Sequence, residues 1–426
     1  MKISIYGTGF VGLTTGACLA NLGHEVICID IDKDKINKLN QNIIPFYEPS
    51  LKELVELGKI KGRLKFTTDT TSGINSEIIF NCVGTPQMED GSANLSYVFA
   101  VVNSLANLII KPTIFINKST VPAGTARKCQ ELFKDKLVKV VSNPEFLKEG
   151  NAVYDFMHPD KIVVGTSDQE AREVLRNVYS GLERPYLKIL ETEWETAEII
   201  KYANNSFLAT KISFINEIAN ICDALGGEIK TVAKALGMDY RISPKFLNAG
   251  LGYGGECFPK DVRALISTAR EHGYSAKLLE EVHQVNERQK RVLVNKILKH
   301  YSEAATLAIW GLTFKPKTSD TREAVSLVMI RELSSAGFKL KVYDPIANEE
   351  VKKIFGDSII YCQSAEEAAE GSDGIALVTE WDEFRGVNFS KLGETMKTKV
   401  LFDGRNIYEP SIIKKSGFTY YGVGRS

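Results

Sequence analysis

The chain has 426 residues, 44% hydrophobic and 25% charged, a composition ordinary for soluble globular proteins and a length that predicts two or three domains. Its 53 basic residues balance 53 acidic ones, so nothing in the overall charge calls for nucleic acid or an anionic membrane as partner. Seven scattered cysteines form no CxxC pair, which argues against a disulfide framework or a metal site and predicts a reducing, cytoplasmic setting.

The first apolar run, Ile3-Ser4-Ile5-Tyr6, is too short to span a membrane, lacks a signal-peptide layout and reads as a strand. Further strands are predicted over 25–30, 77–82, 113–117, 137–141 and 161–165, with helices between them, for example 11–22 and 95–109. Short apolar runs alternating with amphipathic stretches point to βαβ units in a buried, mostly parallel sheet.

Directly after the first strand stands Gly7-Thr8-Gly9-Phe10-Val11-Gly12. In such a GxGxxG the first glycine makes a tight turn, the second admits a pyrophosphate and the third lets helix and strand pack closely. The helix start then offers N–H groups and a partial positive charge to the phosphates. Asp30, 18 residues after Gly12, is placed to accept from both ribose hydroxyls; Asp32 is an alternative acceptor, and Lys35 a candidate for the adenosine side. An acidic group there repels a 2′-phosphate, so NAD is expected rather than NADP. Two later strand ends, Gly84-Thr85-Pro86 and Lys118-Ser119-Thr120-Val121-Pro122, bring the hydroxyls of Thr85 and Thr120 to where ligands of parallel sheets bind. A third, Asn143 to Glu149, brings two carboxylates and a lysine.

From Glu193 the pattern becomes helical. Ala197, Ile200, Phe207, Leu208, Ile215, Ile218 and Ile221 recur near helical spacing in one stretch over 193–225, ended by Gly226-Gly227. Lys201 and Asn205, four residues apart, share one face of it and need polar partners if that face is buried. The run Gly254-Gly255-Glu256-Cys257-Phe258-Pro259-Lys260-Asp261 reads as a bare glycine loop entering a helix, with Pro259 in its first turn. That puts the Cys257 thiol near a helix N-terminus and Lys260, a setting that lowers a thiol pKa, against the opposing charge of Glu256. The βαβ rhythm returns with strands at 306–311, 339–343, 374–378 and 399–402 and helices at 322–336 and 348–355. The expected fold is α/β: two Rossmann-like doubly wound domains, 1–192 and 301–426, joined by a helical middle, 193–300, with a long central helix. The two α/β halves are not obviously similar in sequence, and Gly311-Leu312-Thr313-Phe314-Lys315-Pro316 replaces a glycine fingerprint in the second.

Along nearly its full length the chain resembles the nucleotide-sugar dehydrogenases of the UDP-glucose/GDP-mannose dehydrogenase family. The matching runs are Gly7 to Gly12, Lys118 to Pro122, Asn143 to Glu149, Pro159 to Gly165, Lys201 to Asn205, Gly252 to Asp261, Phe314-Lys315-Pro316 and Asp403-Gly404-Arg405-Asn406. The resemblance implies a four-electron oxidation of UDP-glucose by two NAD⁺ to UDP-glucuronate, in a homodimer paired through the long helix, with Arg241 reaching substrate across the subunit interface. It implies Cys257 as nucleophile. Lys201, Asn205 and Asp261 surround the reacting C6 oxygen, and Thr120 and Glu145 belong to the catalytic set. Glu149, Lys260 and Arg322 match cofactor contacts. Glu145, Phe146, Leu147, Lys148 and Glu149 match the surroundings of the sugar nucleotide, as do Phe246, Leu247, Asn248, Ala249 and Gly250 with Gly254 and Lys315. Arg405 matches an arginine near the uridine, and the second α/β domain suits UDP rather than a second NAD.

The residue types fit that chemistry. Taking an aldehyde on to an acid requires a tetrahedral centre that gives up a second hydride, and a thiolate adding to the aldehyde makes one. Lys201 and Asn205 suit its oxyanion, Asp261 or Lys201 the first proton, and Glu145 the hydrolytic water. Three positions depart from the family pattern: Glu256 replaces a serine, Ser243 a glycine, and the run 318–324 loses a downstream Ser-Pro. Alternatives are a dehydrogenase of GDP-mannose or a UDP-N-acetylhexosamine, an NAD-dependent epimerase, which has no use for Cys257, and a non-catalytic NAD-binding protein.

Overall fold

The computed structural model describes residues 1–134, 137–182 and 188–425. It divides into two compact units, Met1–Asn204 with Ala264–Tyr274, and Asn205–Arg263 with Ser275–Ser426.

Among the described residues the first unit contains eight strands: β1 (Lys2–Tyr6), β2 (Glu25–Ile29), β3 (Leu64–Thr67), β4 (Ile78–Asn81), β5 (Thr113–Asn117), β6 (Val138–Ser142), β7 (Ile162–Gly165) and β8 (Ile189–Thr192). They lie in the order β3-β2-β1-β4-β5-β6-β7-β8, parallel except where β6 meets β7. Successive side chains leave a strand on opposite faces. Ile3, Ile5, Phe80 and Ile116 accordingly enter one core and Tyr6, Ile79 and Phe115 the other. Both faces are covered, which explains the near-continuous apolar runs of the central strands. The strand order reverses between β1 and β4, the switch point where such sheets bind ligands.

The second unit repeats the plan with β9 (Thr306–Trp310), β10 (Lys339–Tyr343), β11 (Ile360–Tyr361), β12 (Gly374–Leu377), β13 (Val400–Asp403) and β14 (Thr419–Tyr421). Its parallel order, β11-β10-β9-β12-β13-β14, is the same permutation as the first six strands of the other sheet. The halves that look unrelated in sequence therefore share one topology.

The long helix runs Trp194–Leu225, as the periodicity predicts. It stops where Gly226 turns left-handed at φ 74°, a conformation glycine adopts without steric cost. Four strands absent from the sequence reading, β3, β8, β11 and β14, are the four sheet edges. Edge strands bury one face at most: β3 alternates buried Leu64 and Phe66 with exposed Lys65, and β11 has only two residues. Neither offers the apolar run that reveals a central strand. Among the described residues, no helix is long and apolar enough to cross a membrane.

Candidate functional site

In the first unit the glycine loop has the stereochemistry that a pyrophosphate requires. Gly7 lies at φ 94°, and a Cβ at Gly12 would stand 1.9 Å from the Gly7 carbonyl oxygen. A Cβ at Gly9 would meet nothing within 4 Å, and Gly9 caps helix Phe10–Asn21 with no side-chain hydrogen bond. That helix start is open to an anion. The Asp30 carboxylate receives the Thr8 N–H and hydroxyl, both at 2.8 Å, the Asp32 N–H at 3.1 Å and Lys35 Nζ at 3.1 Å. Burial would raise its pKa, but these donors outweigh burial and hold it below the ordinary carboxylate value. The group that would meet a ribose is therefore an anion. Asp32 is otherwise engaged, capping helix Lys33–Asn40 through the Lys35 N–H at 3.0 Å.

At the ends of β4 and β5, the Thr85 hydroxyl donates to the Thr120 carbonyl at 2.8 Å and Ser119 Oγ to the Val83 carbonyl at 2.7 Å. The two loops thus support each other. Lys118 is structural: its Nζ reaches Asn143 Oδ1 at 3.2 Å and the Tyr179 hydroxyl at 3.3 Å, inside the core. Beyond β6, Glu145 pairs with Lys201 at 2.8 Å, with side chains only 6% and 5% exposed. The Phe146 ring lies beneath two cations, Lys161 at 4.3 Å and Lys201 at 5.4 Å. Leu147 donates its N–H to Glu145; Lys148 is exposed and pairs with Asp155 at 3.1 Å, and Glu149 is half-buried.

The sequence reading missed Glu48, which is buried and accepts the N–H groups of Gly150 and Ala152 at 2.7 Å each. It anchors the far end of the 145–149 segment. Its only signal in the sequence is a carboxylate in the proline-flanked turn Pro45-Phe46-Tyr47-Glu48-Pro49.

In the second unit Cys257 is the first residue of helix Cys257–Glu271 and the one exposed thiol; the other six cysteines are buried. Burial pushes Cys18 and Cys82 up to about 12 and Cys129 to about 11, which keeps them as unreactive thiols. The glycines before Cys257 differ from expectation in purpose. Cβ atoms at Gly252, Gly254 and Gly255 would strike Asn286 Oδ1 at 2.5 Å, the Glu323 carbonyl at 2.4 Å and the Phe314 ring at 2.9 Å. They admit the chain's own neighbours rather than leave a bare loop.

Glu256 pairs with Arg322, which also holds Asp320 at 2.8 Å. The carboxylate that opposes a thiolate in the sequence thus shares a cation with Asp320. Asp261, 1% exposed, accepts Lys260 Nζ at 2.8 Å and Asn205 Nδ2 at 2.7 Å. Lys260 and Arg322, which the resemblance assigns to the cofactor, both stand on carboxylates of this unit.

Arg405 lines a cavity of about 610 Å³ together with Leu247, Asn248, Ala249 and Gly250. The sequence reading missed its other charged groups, Lys230, Lys234, Arg385 and Glu380, because they come from separate elements without a motif. Arg405 is held by the Val378 carbonyl at 2.6 Å and Glu380 at 3.2 Å. Gly250 is fixed on both sides, its N–H to Asn216 Oδ1 at 2.8 Å and its carbonyl to Gln289 Nε2 at 2.7 Å. Phe246 packs 6.5 Å from Phe258, and Lys315 stands over Phe314 at 5.3 Å. Arg241 is exposed and bound to its neighbour Asp239, with Nε at 2.9 Å.

Ser243 has φ 67°, which explains why glycine suits the position. A side chain in the left-handed region costs about 1 kcal/mol. Glycine's extra freedom in the unfolded chain offsets about half of that, so Ser243→Gly is expected to stabilise the protein by about 0.5 kcal/mol in urea unfolding; a lower midpoint would contradict the strain.

The second sheet lacks the glycine loop of the first, with Leu312-Thr313-Phe314 following Gly311. Asp344, at the end of β10, is already occupied by the Leu312 N–H at 2.7 Å, the Thr313 N–H at 3.2 Å and Trp381 Nε1 at 3.0 Å. A glycine loop with an ionised ribose acceptor in one doubly wound unit, and a basic cavity in the other, define an NAD-dependent dehydrogenase acting on a nucleotide-bearing substrate. Residues 1–183 match the NAD-binding domain of the UDP-glucose/GDP-mannose dehydrogenase family, 195–288 its central domain and 308–410 its UDP-binding domain. The chain belongs to that family.

It is 42% identical over 433 residues to UDP-glucose 6-dehydrogenase YwqF of Bacillus subtilis, covering 100% of this chain and 98% of the relative. It is 41% identical over 442 residues to UDP-glucose 6-dehydrogenase of Pseudomonas aeruginosa, covering 100% and 98%. Among solved structures, a UDP-glucose dehydrogenase from the archaeon Pyrobaculum islandicum matches with a TM-score of 0.92 at 33% identity, over 100% of this chain and 98% of that one.

Proposed function

We propose that this enzyme oxidises C6 of UDP-glucose to the carboxylate, consuming two NAD⁺ and one water and releasing UDP-glucuronate and two NADH, through a covalent intermediate on Cys257. The observation that carries the four-electron reading is the exposed Cys257 thiol at the head of a helix, when every other cysteine is buried. End-to-end similarity to UDP-glucose 6-dehydrogenases supports the sugar.

NAD⁺, when bound, supplies the hydride acceptor for both oxidations. Gly7, Gly9, Phe10, Val11 and Gly12 would hold its pyrophosphate and Asp30 its ribose, with Lys35, Thr85, Thr120 and Glu149 around it. The first oxidation gives an aldehyde, with Asp261 taking the C6 hydroxyl proton through water. The Cys257 thiolate then adds to the aldehyde carbon, forming the C–S bond of a thiohemiacetal. Loss of hydride leaves a thioester, and water displaces the thiolate to give the acid. Asn205, whose amide nitrogen is held by Asp261, would supply an amide donor to the oxyanion. Lys201 supplies positive charge, and Glu145 takes a proton from the hydrolytic water. The segments 145–149 and 246–250, with Gly254, Lys315 and Arg405, would receive the sugar nucleotide. The cations Lys230, Lys234 and Arg385 make the Arg405 cavity suitable for a diphosphate.

The test is a product assay across sugar nucleotides. UDP-glucose should be converted at least about tenfold faster, in kcat/KM, than GDP-mannose or UDP-N-acetylhexosamines. Turnover of GDP-mannose without UDP-glucose would overturn the choice of substrate.

The working form is a cytoplasmic homodimer. Its support is an exposed stripe on the long helix, Phe207, Phe214 and Ile221 at seven-residue spacing with Leu225 beyond, 65%, 49%, 47% and 81% exposed. Apolar side chains in such a row are a helix-pairing surface. Phe214→Glu is expected to give monomers by sedimentation; dimers of undiminished affinity would place the interface elsewhere.

A further inference from the structure

Glu198 has no role in the chemistry above, yet three of its proposed participants hang on it. It lies one turn before Lys201 in helix Trp194–Leu225, and the residue is 2% exposed. Oε2 accepts the Gly124 N–H at 2.7 Å, and Oε1 accepts the Ala126 N–H at 2.8 Å and the Ser142 hydroxyl at 3.0 Å. Gly124, at φ 90°, begins helix Thr125–Leu132 with no side-chain cap from its own segment, so Glu198 supplies that cap from 74 residues away. Gly124 lies four residues after Thr120, and Ser142 lies three before Glu145. A small pocket at the same place is lined by Asn117, Ser119, Val121, Ser142, Pro144, Glu198 and Lys201.

We infer that Glu198 is a positioning residue that fixes the Thr120 loop, the start of the Glu145 segment and the helix turn carrying Lys201 against one another. The inference rests on the proposed function, which makes those three groups participants. A carboxylate suits the task because each oxygen accepts independently, so one side chain ties two backbone N–H groups and a hydroxyl. Burial raises Glu198 to about 7, against the lowering effect of those same bonds.

Glu198→Gln keeps the shape but only one acceptor oxygen, so one of the two backbone N–H groups loses its partner. Misplacement of catalytic groups by a fraction of an ångström acts on turnover more than on binding. The variant is expected to lose at least about tenfold in kcat for NADH formation from UDP-glucose, with both KM values within about twofold and a melting temperature lowered by only a few degrees for the lost bond. Glu195→Gln on the same helix, which breaks the surface pair with Arg127 and removes a nearby charge from Glu198 without touching its hydrogen bonds, should leave kcat unchanged. A folded Glu198→Gln enzyme with wild-type kcat would overturn the inference, as would parallel loss of kcat, both KM values and thermal stability, which marks a merely structural role. If Glu198→Gln does not accumulate as folded protein, Ser142→Ala, which removes a single bond, decides: a kcat loss of about threefold or more at constant KM supports positioning, and unchanged kcat overturns it. A wild-type enzyme inactive on UDP-glucose would instead refute the proposed function.

Discussion

Cys257→Ser is expected to reduce NADH formation at saturating UDP-glucose and NAD⁺ by about 10³-fold or more, while the dissociation constants of both ligands stay within about twofold. Serine preserves the volume and the place at the head of a 15-residue helix. A serine hydroxyl is nevertheless far more basic than a thiol, and the helix start cannot make it an alkoxide at neutral pH. The Glu256 carboxylate beside the wild-type thiol is engaged by Arg322. Steady-state turnover with calorimetric binding checks the expectation. Undiminished acid production by the serine variant would remove the covalent mechanism.

Asp261→Asn is the second large effect. The wild-type carboxylate neutralises Lys260, whose side chain is 10% exposed, and orients Asn205. The amide would leave a nearly buried ammonium without its counter-charge, at a cost of about 3 kcal/mol. It would also free Asn205 to rotate away from the reacting oxygen. We expect kcat to fall by about 10²–10³-fold with a lowered urea midpoint. A kcat within about threefold of wild type would show that the pair is only structural.

The parts legible in the sequence were those whose chemistry is local. Gly7 to Gly12 carry their function in backbone conformation, and Cys257 announces itself through the glycines before it and the helix after it. Central strands such as β4 and β5 were readable because both faces are buried. The sheet edges were not, since an edge needs neither a long apolar run nor a strict alternation. The shared strand order of the two units also left no sequence signature. It follows from right-handed crossovers and burial, which many sequences satisfy.

Contacts across long stretches of chain were invisible for a different reason. Glu48 and Glu198 act on backbone N–H groups 102 and 74 residues away, and a backbone partner leaves no residue type to recognise. Lys260 and Arg322 were identified by resemblance as cofactor contacts, while their carboxylate partners, Asp261 and Glu256, emerged only from the folded chain. Glu256, the opposing charge in the sequence, is paired with Arg322 in the folded chain.

The most direct test of a covalent four-electron oxidation is the number of NADH molecules formed per UDP-glucose consumed when the sugar is limiting. Two NADH with UDP-glucuronate as product is the result expected here. One NADH, with the sugar arrested at the aldehyde, would contradict it.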